Sequence, residues 1–347
     1  MTGRDLPVRV VVVDDDSAQR DRLVLALDQG SDIVVVGRAD RVEAVLAVVR
    51  QAQPDVVVLG LQLHGGTGQE VIEQLMADLP TPVLVLSGGI DGQNSAAALD
   101  ALALGAVDAL PRPAHWTPEA GAELCRAVRQ ISKVPVIRRP RRRRKNPSGD
   151  GGQSRANRPA VVGLAASTGG PSALAVVLAG LGGLSAPVLV VQHLHPDFTS
   201  GLVEWMGRVS ALPVQMAEHG QTARPGRVYV APGGLHLRLG GADRLELSAD
   251  PVTIHCPSAD PLFHSIAAHA GVAGIGVMLT GMGDDGARGL LAIHRGGGRT
   301  IAQDEASSAV FGMPRAAQRL GAVTDLLPLD KLADAIQRTV REVTDER

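Results

Sequence analysis

Short runs of valine and leucine alternate with amphipathic stretches through the first part of this 347-residue chain. A continuous apolar run predicts a strand that is buried on both faces, and apolar residues at helical spacing predict helices that cover the sheet. The predicted strands are residues 8–13, 33–37, 55–59, 82–86 and 107–110. The predicted helices are residues 17–29, 41–52, 68–78, 92–104 and 117–132. Residues 1–133 are therefore expected to form a small doubly wound α/β domain with a parallel sheet.

Residues 134–158 differ sharply from this pattern, because they are rich in Pro, Gly, Ser and Arg and lack periodic apolar positions. This composition predicts a linker. Seven basic residues lie within 138–145, and without them the chain has 27 basic residues, 34 less seven, against 36 acidic ones. The folded parts are thus acidic, which argues against nucleic-acid binding by a folded face. Docking or RNA binding by the basic run itself is the alternative to a solvated tether.

Residues 159–347 begin a second α/β pattern, for which we expect another doubly wound domain with an antiparallel accessory piece. The predicted strands are residues 160–166, 187–192 and 274–280, and the predicted helices are residues 171–180, 198–210, 258–271, 285–295 and 328–343. Four shorter strand-like runs predict a hairpin-rich insertion, at residues 214–217, 227–231, 235–239 and 244–247.

Several classes of protein are excluded by composition. No apolar run is long enough to predict a membrane helix, and the chain starts without the pattern of a signal peptide, so a cytoplasmic protein is expected. The two cysteines, Cys125 and Cys256, are too few for a disulfide framework or a four-ligand metal site. The histidines outside the motifs discussed below also lack a compact metal-ligand spacing.

Ser167 follows a predicted strand directly and precedes Gly169, Gly170 and Pro171. Proline is favoured in the first turn of a helix, so this serine is expected at a corner between strand and helix. Such a corner exposes the hydroxyl beside main-chain N–H groups that could hold an oxyanion. A glycine-rich loop that binds an anion is the competing interpretation.

Two further motifs also end predicted strands. His193 is a candidate general base, with His195 as a rival, and the turn after residues 274–280 contains Asp284 and Asp285. An aspartate there could orient the histidine, or it could simply cap a helix. Because parallel strands end at one edge of a sheet, the serine, the histidine and an aspartate are expected to meet.

Residues 159–347 resemble the catalytic domain of the chemotaxis receptor protein-glutamate methylesterases, the CheB family. Six blocks carry the resemblance: ASTGGP at 166–171, VVQHLHPDFT at 190–199, PGRVYVAPGGLHL at 225–237, PSADPLF at 257–263, LTGMGDDGA at 279–287 and AQDEASSAVFGMPRAA at 302–317. The resemblance implies hydrolysis of glutamate methyl esters on cytoplasmic helices of methyl-accepting chemotaxis receptors, with release of methanol. Some members of the family also deamidate receptor glutamines.

The resemblance also implies roles for individual residues. Ser167 is expected to be the nucleophile, His193 the base and Asp285 the residue that orients it. The main-chain amide of Met282 is a candidate oxyanion donor, and Thr168 is expected to line the site. No metal or organic cofactor is expected.

Residues 1–133 resemble the phosphorylatable receiver domain of the same family. Asp14 and Asp15 stand where the acidic Mg²⁺ pair belongs, with Asp16 as a third carboxylate, and Ser87 stands at the switch hydroxyl. The phospho-acceptor position, however, is Gly60, and Arg112 replaces the expected lysine. Glycine has no carboxylate, so a degenerate receiver that is not phosphorylated at this position is predicted.

The sequence leaves the role of such a receiver open. It could inhibit the esterase, leave it permanently active, bind a chemotaxis kinase or adaptor on its surface, or serve only in folding and docking. A non-catalytic scaffold in a chemosensory pathway is the alternative for the whole chain, although a scaffold has no need of an intact Ser167, His193 and Asp285.

Overall fold

A computed structural model describes residues 6–28, 30–88, 92–134 and 160–345 of the chain. The chain divides into two units, one containing the described residues up to Val134 and the other those from Ala160 onward. Except for Val134, the predicted linker lies outside the described residues, and the predicted domain limits stay predictions.

The first unit is a parallel five-stranded sheet covered by five helices. Its elements are β1 (Val8–Val13), α1 (Ser17–Leu27), β2 (Ile33–Ala39), α2 (Val42–Ala52), β3 (Val56–Gly60), β4 (Gln62–Leu63), β5 (Gly66–Thr67), α3 (Gly68–Asp78), β6 (Val83–Gly88), α4 (Gly92–Leu104), β7 (Asp108–Arg112) and α5 (Pro118–Ile131). The strand order is β2-β1-β3-β6-β7, with β4 and β5 as a separate small antiparallel pair. The central strand β3 is buried along its whole length, as its run of valines predicts.

The second unit is a parallel seven-stranded sheet with a hairpin beside it. Its elements are β8 (Val161–Ala166), α6 (Gly170–Ala179), β9 (Val188–Gln192), α7 (Thr199–Val209), β10 (Val214–Met216), β11 (Val228–Val230), β12 (His236–Leu239), β13 (Leu245–Ser248), α8 (Ala259–Ala270), β14 (Gly274–Met278), α9 (Ala287–Arg295), β15 (Arg299–Gln303), α10 (Met313–Arg319), β16 (Asp325–Leu327) and α11 (Leu329–Asp345). The strand order is β10-β11-β9-β8-β14-β15-β16, and every pairing in this sheet is parallel.

The predicted fold class, two doubly wound parallel-sheet domains with an antiparallel hairpin, is confirmed. The predicted hairpin-rich insertion was wrong in part. Strands β10 and β11 extend the parallel sheet, and of the four short strands predicted there only β12 and β13 pair as a hairpin. Helix α10 and strands β15 and β16 were not predicted. The hairpin packs on α8, and apolar residues of the hairpin, α8 and the sheet share one buried core.

Candidate active site

Three adjacent strands place the candidate catalytic residues at one edge of the second sheet. Strand β8 lies between β9 and β14, and Ser167 is the residue that follows β8. His193 follows β9, and its main-chain amide donates to the carbonyl of Ala166 over 2.9 Å. Asp285 lies in the turn that leads from β14 to α9. The expectation that a serine, a histidine and an aspartate reach one edge thus matches the topology.

The corner at Ser167 is fixed by hydrogen bonds with residues at or just beyond the ends of both neighbouring strands. The amide of Ser167 donates to the carbonyl of Thr280 over 3.0 Å, and the Nε2 of Gln192 donates to the carbonyl of Ser167 over 2.9 Å. Gly281 passes so close that a Cβ there would lie 2.7 Å from the Cβ of Ser167. A side chain at position 281 would therefore displace the candidate nucleophile.

His193 forms a hydrogen bond with Asp285 and keeps its other ring nitrogen free. The Nε2 of His193 lies 2.8 Å from the Oδ2 of Asp285, and both side chains are largely buried. The Nδ1 of His193 is buried and has no hydrogen-bond partner among the described residues. Since the ionised carboxylate only accepts, the neutral ring donates from Nε2, and Nδ1 is left as the basic atom.

Asp285 is held as a carboxylate by a set of donors from two elements. Burial alone would raise its pKa, but hydrogen bonds from His193, the Ser258 hydroxyl and the Ala259 amide lower the pKa to about 2. The Oγ of Ser258 donates to Oδ1 over 2.6 Å, and the amide of Ala259 donates to Oδ2 over 2.7 Å. A permanently charged partner of this kind stabilises the imidazolium that forms when His193 takes a proton.

Two main-chain amides near Ser167 are candidates to hold an oxyanion. The amides of Thr168 and Met282 donate no hydrogen bond within the described part of the chain. The carbonyl of Thr168 instead accepts from the hydroxyl of Thr280 over 3.0 Å, which ties the Ser167 corner to the end of β14.

The geometry separates the candidates from the rivals that the sequence left open. His195 accepts from the amide of Asp197 over 3.4 Å and caps a short 3₁₀ turn, away from Asp285. The carboxylate of Asp284 is exposed, and no hydrogen bond to it is found among the described residues. His193 and Asp285 are thus the histidine and the aspartate that meet.

Three residues of the site were not predicted. Ser258 contacts Asp285, while the ring of His255 stacks on that of His193 with centroids 4.2 Å apart and planes 10° from parallel. His236 is fully buried and anchors the segment that carries both. The block PSADPLF, which includes Ser258, was the only sequence signal for this segment. A cavity of about 790 Å³ opens beside it, lined in part by His255, Asp285 and the charged side chain of Arg288.

At the carboxyl ends of the strands of the first sheet, an ion pair occupies the position that corresponds to the candidate site of the second sheet. Asp14 follows β1, is fully buried and forms an ion pair with Arg112 at the end of β7. Burial raises the pKa of Asp14, and the nearby guanidinium opposes that change. A Cβ at Gly60 would lie 2.7 Å from the Oδ2 of Asp14 and 3.0 Å from the Nη2 of Arg112. The ion pair therefore fills the space that an acceptor side chain would need.

The other predicted pocket residues surround this pair. Asp15 is half-buried, and Asp16 is exposed and caps α1 by accepting from the amides of Ala18 and Gln19. Ser87, in β6, is buried. The described residues contain no group of three or more His, Cys, Asp or Glu side chains placed to hold a metal ion. Among the described helices, none is both long and apolar enough to cross a membrane.

Comparisons with known proteins agree with both halves of the chain. The family model described as CheB methylesterase matches residues 162–336, and the response regulator receiver domain matches residues 10–117. A protein-glutamate methylesterase/protein-glutamine glutaminase of Anaeromyxobacter dehalogenans is 44% identical over 99% of each chain. Another, from Myxococcus xanthus, is 40% identical over 95% of this chain and 93% of its own. The crystal structure of the CheB methylesterase catalytic domain of Thermotoga maritima matches with 34% identity and a TM-score of 0.50, over 52% of this chain and 98% of that one.

Proposed function

This chain belongs to the CheB methylesterase family, and we propose that it demethylates glutamate methyl esters on the cytoplasmic helices of chemoreceptors. The observation that carries the proposal is the placement of Ser167, His193 and Asp285 after three adjacent strands, with His193 hydrogen-bonded to Asp285. Full-length relatives that are named protein-glutamate methylesterase/protein-glutamine glutaminase support the same reaction. The proposed place of action is the cytoplasm, where the receptor helices lie.

The first half of the reaction acylates the serine. The Nδ1 of His193 takes the hydroxyl proton of Ser167 as the serine oxygen attacks the ester carbonyl. Negative charge develops on the carbonyl oxygen, where the unused amides of Met282 and Thr168 are the donors that can receive it. The tetrahedral intermediate then collapses, the proton passes from His193 to the leaving oxygen, and methanol departs.

The second half frees the enzyme. Water gives a proton to the Nδ1 of His193 as its oxygen attacks the acyl carbon, and the serine oxygen leaves with that proton. The free glutamate carboxylate is the product. A glutamine side chain follows the same path with ammonia as the leaving group, so deamidation requires no further residue. The charge of Asp285 stabilises the imidazolium in each step.

We also propose that aspartyl phosphorylation does not control this enzyme. Gly60 offers no carboxylate, and Arg112 occupies the pocket through its ion pair with Asp14. These residues do not fit a Mg²⁺ site, because a fixed cation already neutralises the buried carboxylate. Binding of a kinase or adaptor to the receiver surface is one route by which this domain could still control the esterase.

Methanol release from a methylated receptor fragment tests the function. The full-length chain is expected to release methanol without a phosphodonor, and Ser167→Ala is expected to release none. Acetyl phosphate with Mg²⁺ is expected to leave the rate unchanged and to label no residue. If the chain is inactive on several methylated receptors, the scaffold alternative replaces this proposal. A base-labile acyl phosphate on the receiver would contradict the proposed loss of phosphorylation.

A further inference from the structure

The segment between β13 and α8 is irregular, and buried His236 fixes both of its ends. The Nε2 of His236 donates to the carbonyl of Pro251 over 2.9 Å, and its Nδ1 accepts from the amide of Ser258 over 3.0 Å. One ring therefore determines where the intervening residues lie, since a neutral histidine makes both hydrogen bonds in a single tautomer. The carbonyl of Cys256 adds a third anchor by accepting from the amide of Gly234 over 3.1 Å.

This anchoring brings His255 against the candidate base. Its ring lies nearly parallel to that of His193 at a centroid distance of 4.2 Å, which is close contact between two aromatic faces. His193 is thus held from two directions, at its edge by Asp285 and over its face by His255. The hydrogen bond constrains only the position of Nε2, and the stacked ring restricts tilting of the imidazole plane.

The electrostatic surroundings favour a neutral His255. Partial desolvation, followed by the adjacent His193, lowers the pKa of His255 although the residue as a whole remains exposed, whereas Asp285 and Asp284 oppose this. A neutral ring can lie against an imidazolium without repulsion, and its π face attracts a cation. A charged side chain in the same place would oppose proton transfer to His193.

We propose that His255 is a positioning residue for the esterase reaction: its stacked ring holds the His193 imidazole in the plane that directs Nδ1 toward Ser167. This inference rests on the proposed function, because it assigns a role toward the proposed general base. His255 acts through His193 and touches no reacting atom in this role. The chemistry that the position requires is an uncharged aromatic face.

Three substitutions of His255 distinguish the effect of an aromatic ring at this position from the effect of a positive charge there. His255→Phe keeps a neutral ring, His255→Ala removes the ring, and His255→Lys replaces the ring with a cation. His264→Ala is the matched control, because His264 is an exposed histidine that lines the same cavity and lies on α8. Melting temperatures of all four full-length variants establish that they are folded.

The first measurement is the rate at which an aryl sulfonyl fluoride labels Ser167, followed by intact mass. This probe reports the activation of the serine without any receptor. We expect His255→Ala to slow labelling about five- to tenfold and His255→Lys to slow it further. The Phe variant and the His264→Ala control are expected to stay within about twofold of the wild-type chain.

Methanol release then separates positioning from binding. His255→Ala is expected to lower kcat by the same factor as labelling while KM changes little. The inference is overturned if His255→Ala keeps the wild-type rates, or if His255→Phe is as slow as His255→Ala. A wild-type chain that releases no methanol would instead overturn the proposed function itself, and the inference would fall with it.

Discussion

Each of the two sheets has an aspartate beyond the carboxyl end of one of its strands, but the surroundings shift the pKa values of these two aspartates in opposite directions. In the esterase domain, Asp285 accepts hydrogen bonds from His193, Ser258 and Ala259, so its pKa falls to about 2 although burial alone would raise it. In the receiver domain, burial raises the pKa of Asp14, and the contact with Arg112 lowers it less. The negative charge of Asp285 faces His193, a side chain that can gain and lose a proton. The carboxylate of Asp14 instead faces Arg112, whose positive charge is permanent.

This comparison teaches that an acidic residue at a strand end does not by itself indicate chemistry. What distinguishes the esterase site is an adjacent base with a free nitrogen, the Nδ1 of His193. At the receiver site the neighbouring strand end carries Gly60, and the remaining space is filled by an arginine. The neighbour of the Asp14 carboxylate is thus a paired cation rather than a base with a free nitrogen.

The largest expected difference between the two edges concerns their serines. Ser167→Ala should lower methanol release by at least about 10⁴-fold, because the proposed mechanism requires the Ser167 oxygen to form the acyl intermediate. Ser87→Ala at the receiver edge should leave methanol release within about twofold, since Ser87 is proposed to take no part in the reaction. Equal losses in the two variants would contradict the comparison.

The aspartates provide the second contrast. Asp285→Asn should lower kcat by about 10³- to 10⁴-fold, since the amide cannot stabilise the imidazolium of His193. Asp14→Asn, the control at the other edge, should leave kcat near the wild-type value. The comparison fails if the receiver variant loses as much activity as the esterase variant.

Substitution of the glycine tests whether the receiver pocket is full. Gly60→Asp places a Cβ 2.7 Å from the Oδ2 of Asp14 and should lower the free energy of unfolding of that domain by about 1–3 kcal/mol. Acetyl phosphate should still fail to label the variant, because the Arg112 side chain still occupies the pocket beside Asp14. Hydrogen exchange of the β3 and β6 amides measures the stability, and an unchanged exchange rate would show that the pocket has free space.

The smallest effect is a difference in the sign of the pH dependence. Asp285 has a folded-state pKa of about 2 against an ordinary value of 3.8, so it contributes about 2 kcal/mol above pH 4 that is lost as the pH falls toward 2. The pKa of Asp14 is raised, so its ionisation destabilises the receiver and protonation at low pH relieves the cost. The stability of each sheet is measured by hydrogen-exchange protection factors, corrected for the intrinsic pH dependence of exchange. Between pH 5 and pH 2, the difference in stability between the wild-type chain and the matching Asn variant should therefore change in opposite directions in the two sheets.

The sequence predicted most of the fold, because both sheets consist of buried apolar strands separated by amphipathic helices. Strand β15 was missed since its ends are polar, and β16 because it has only three residues. The residues of β10 and β11 were assigned to hairpins because short runs near one another in sequence suggest local pairing. The structure instead pairs β11 with β9, and no local pattern encodes that choice.

The candidate site was predictable in part for a similar reason. Ser167 and His193 directly follow their strands, and Asp285 lies in the turn after β14, so sheet topology places all three at one edge. His255 and Ser258 lie in a segment without periodicity, and their contacts with His193 and Asp285 arise only from tertiary packing. His236, which anchors that segment, resembles any other residue of a short strand until its two hydrogen bonds are seen.

The ion pair across the receiver pocket also bears on how this chain can evolve. A return of aspartate to position 60 would meet Asp14 and Arg112 in the space it needs, so that single change lowers stability before it restores any chemistry. Replacement of Arg112 alone would leave Asp14 buried without its cation, which is also destabilising. Because positions 60 and 112 share one pocket, we expect their substitutions to have non-additive effects on stability. The effect of a change at either position therefore depends on which residue occupies the other.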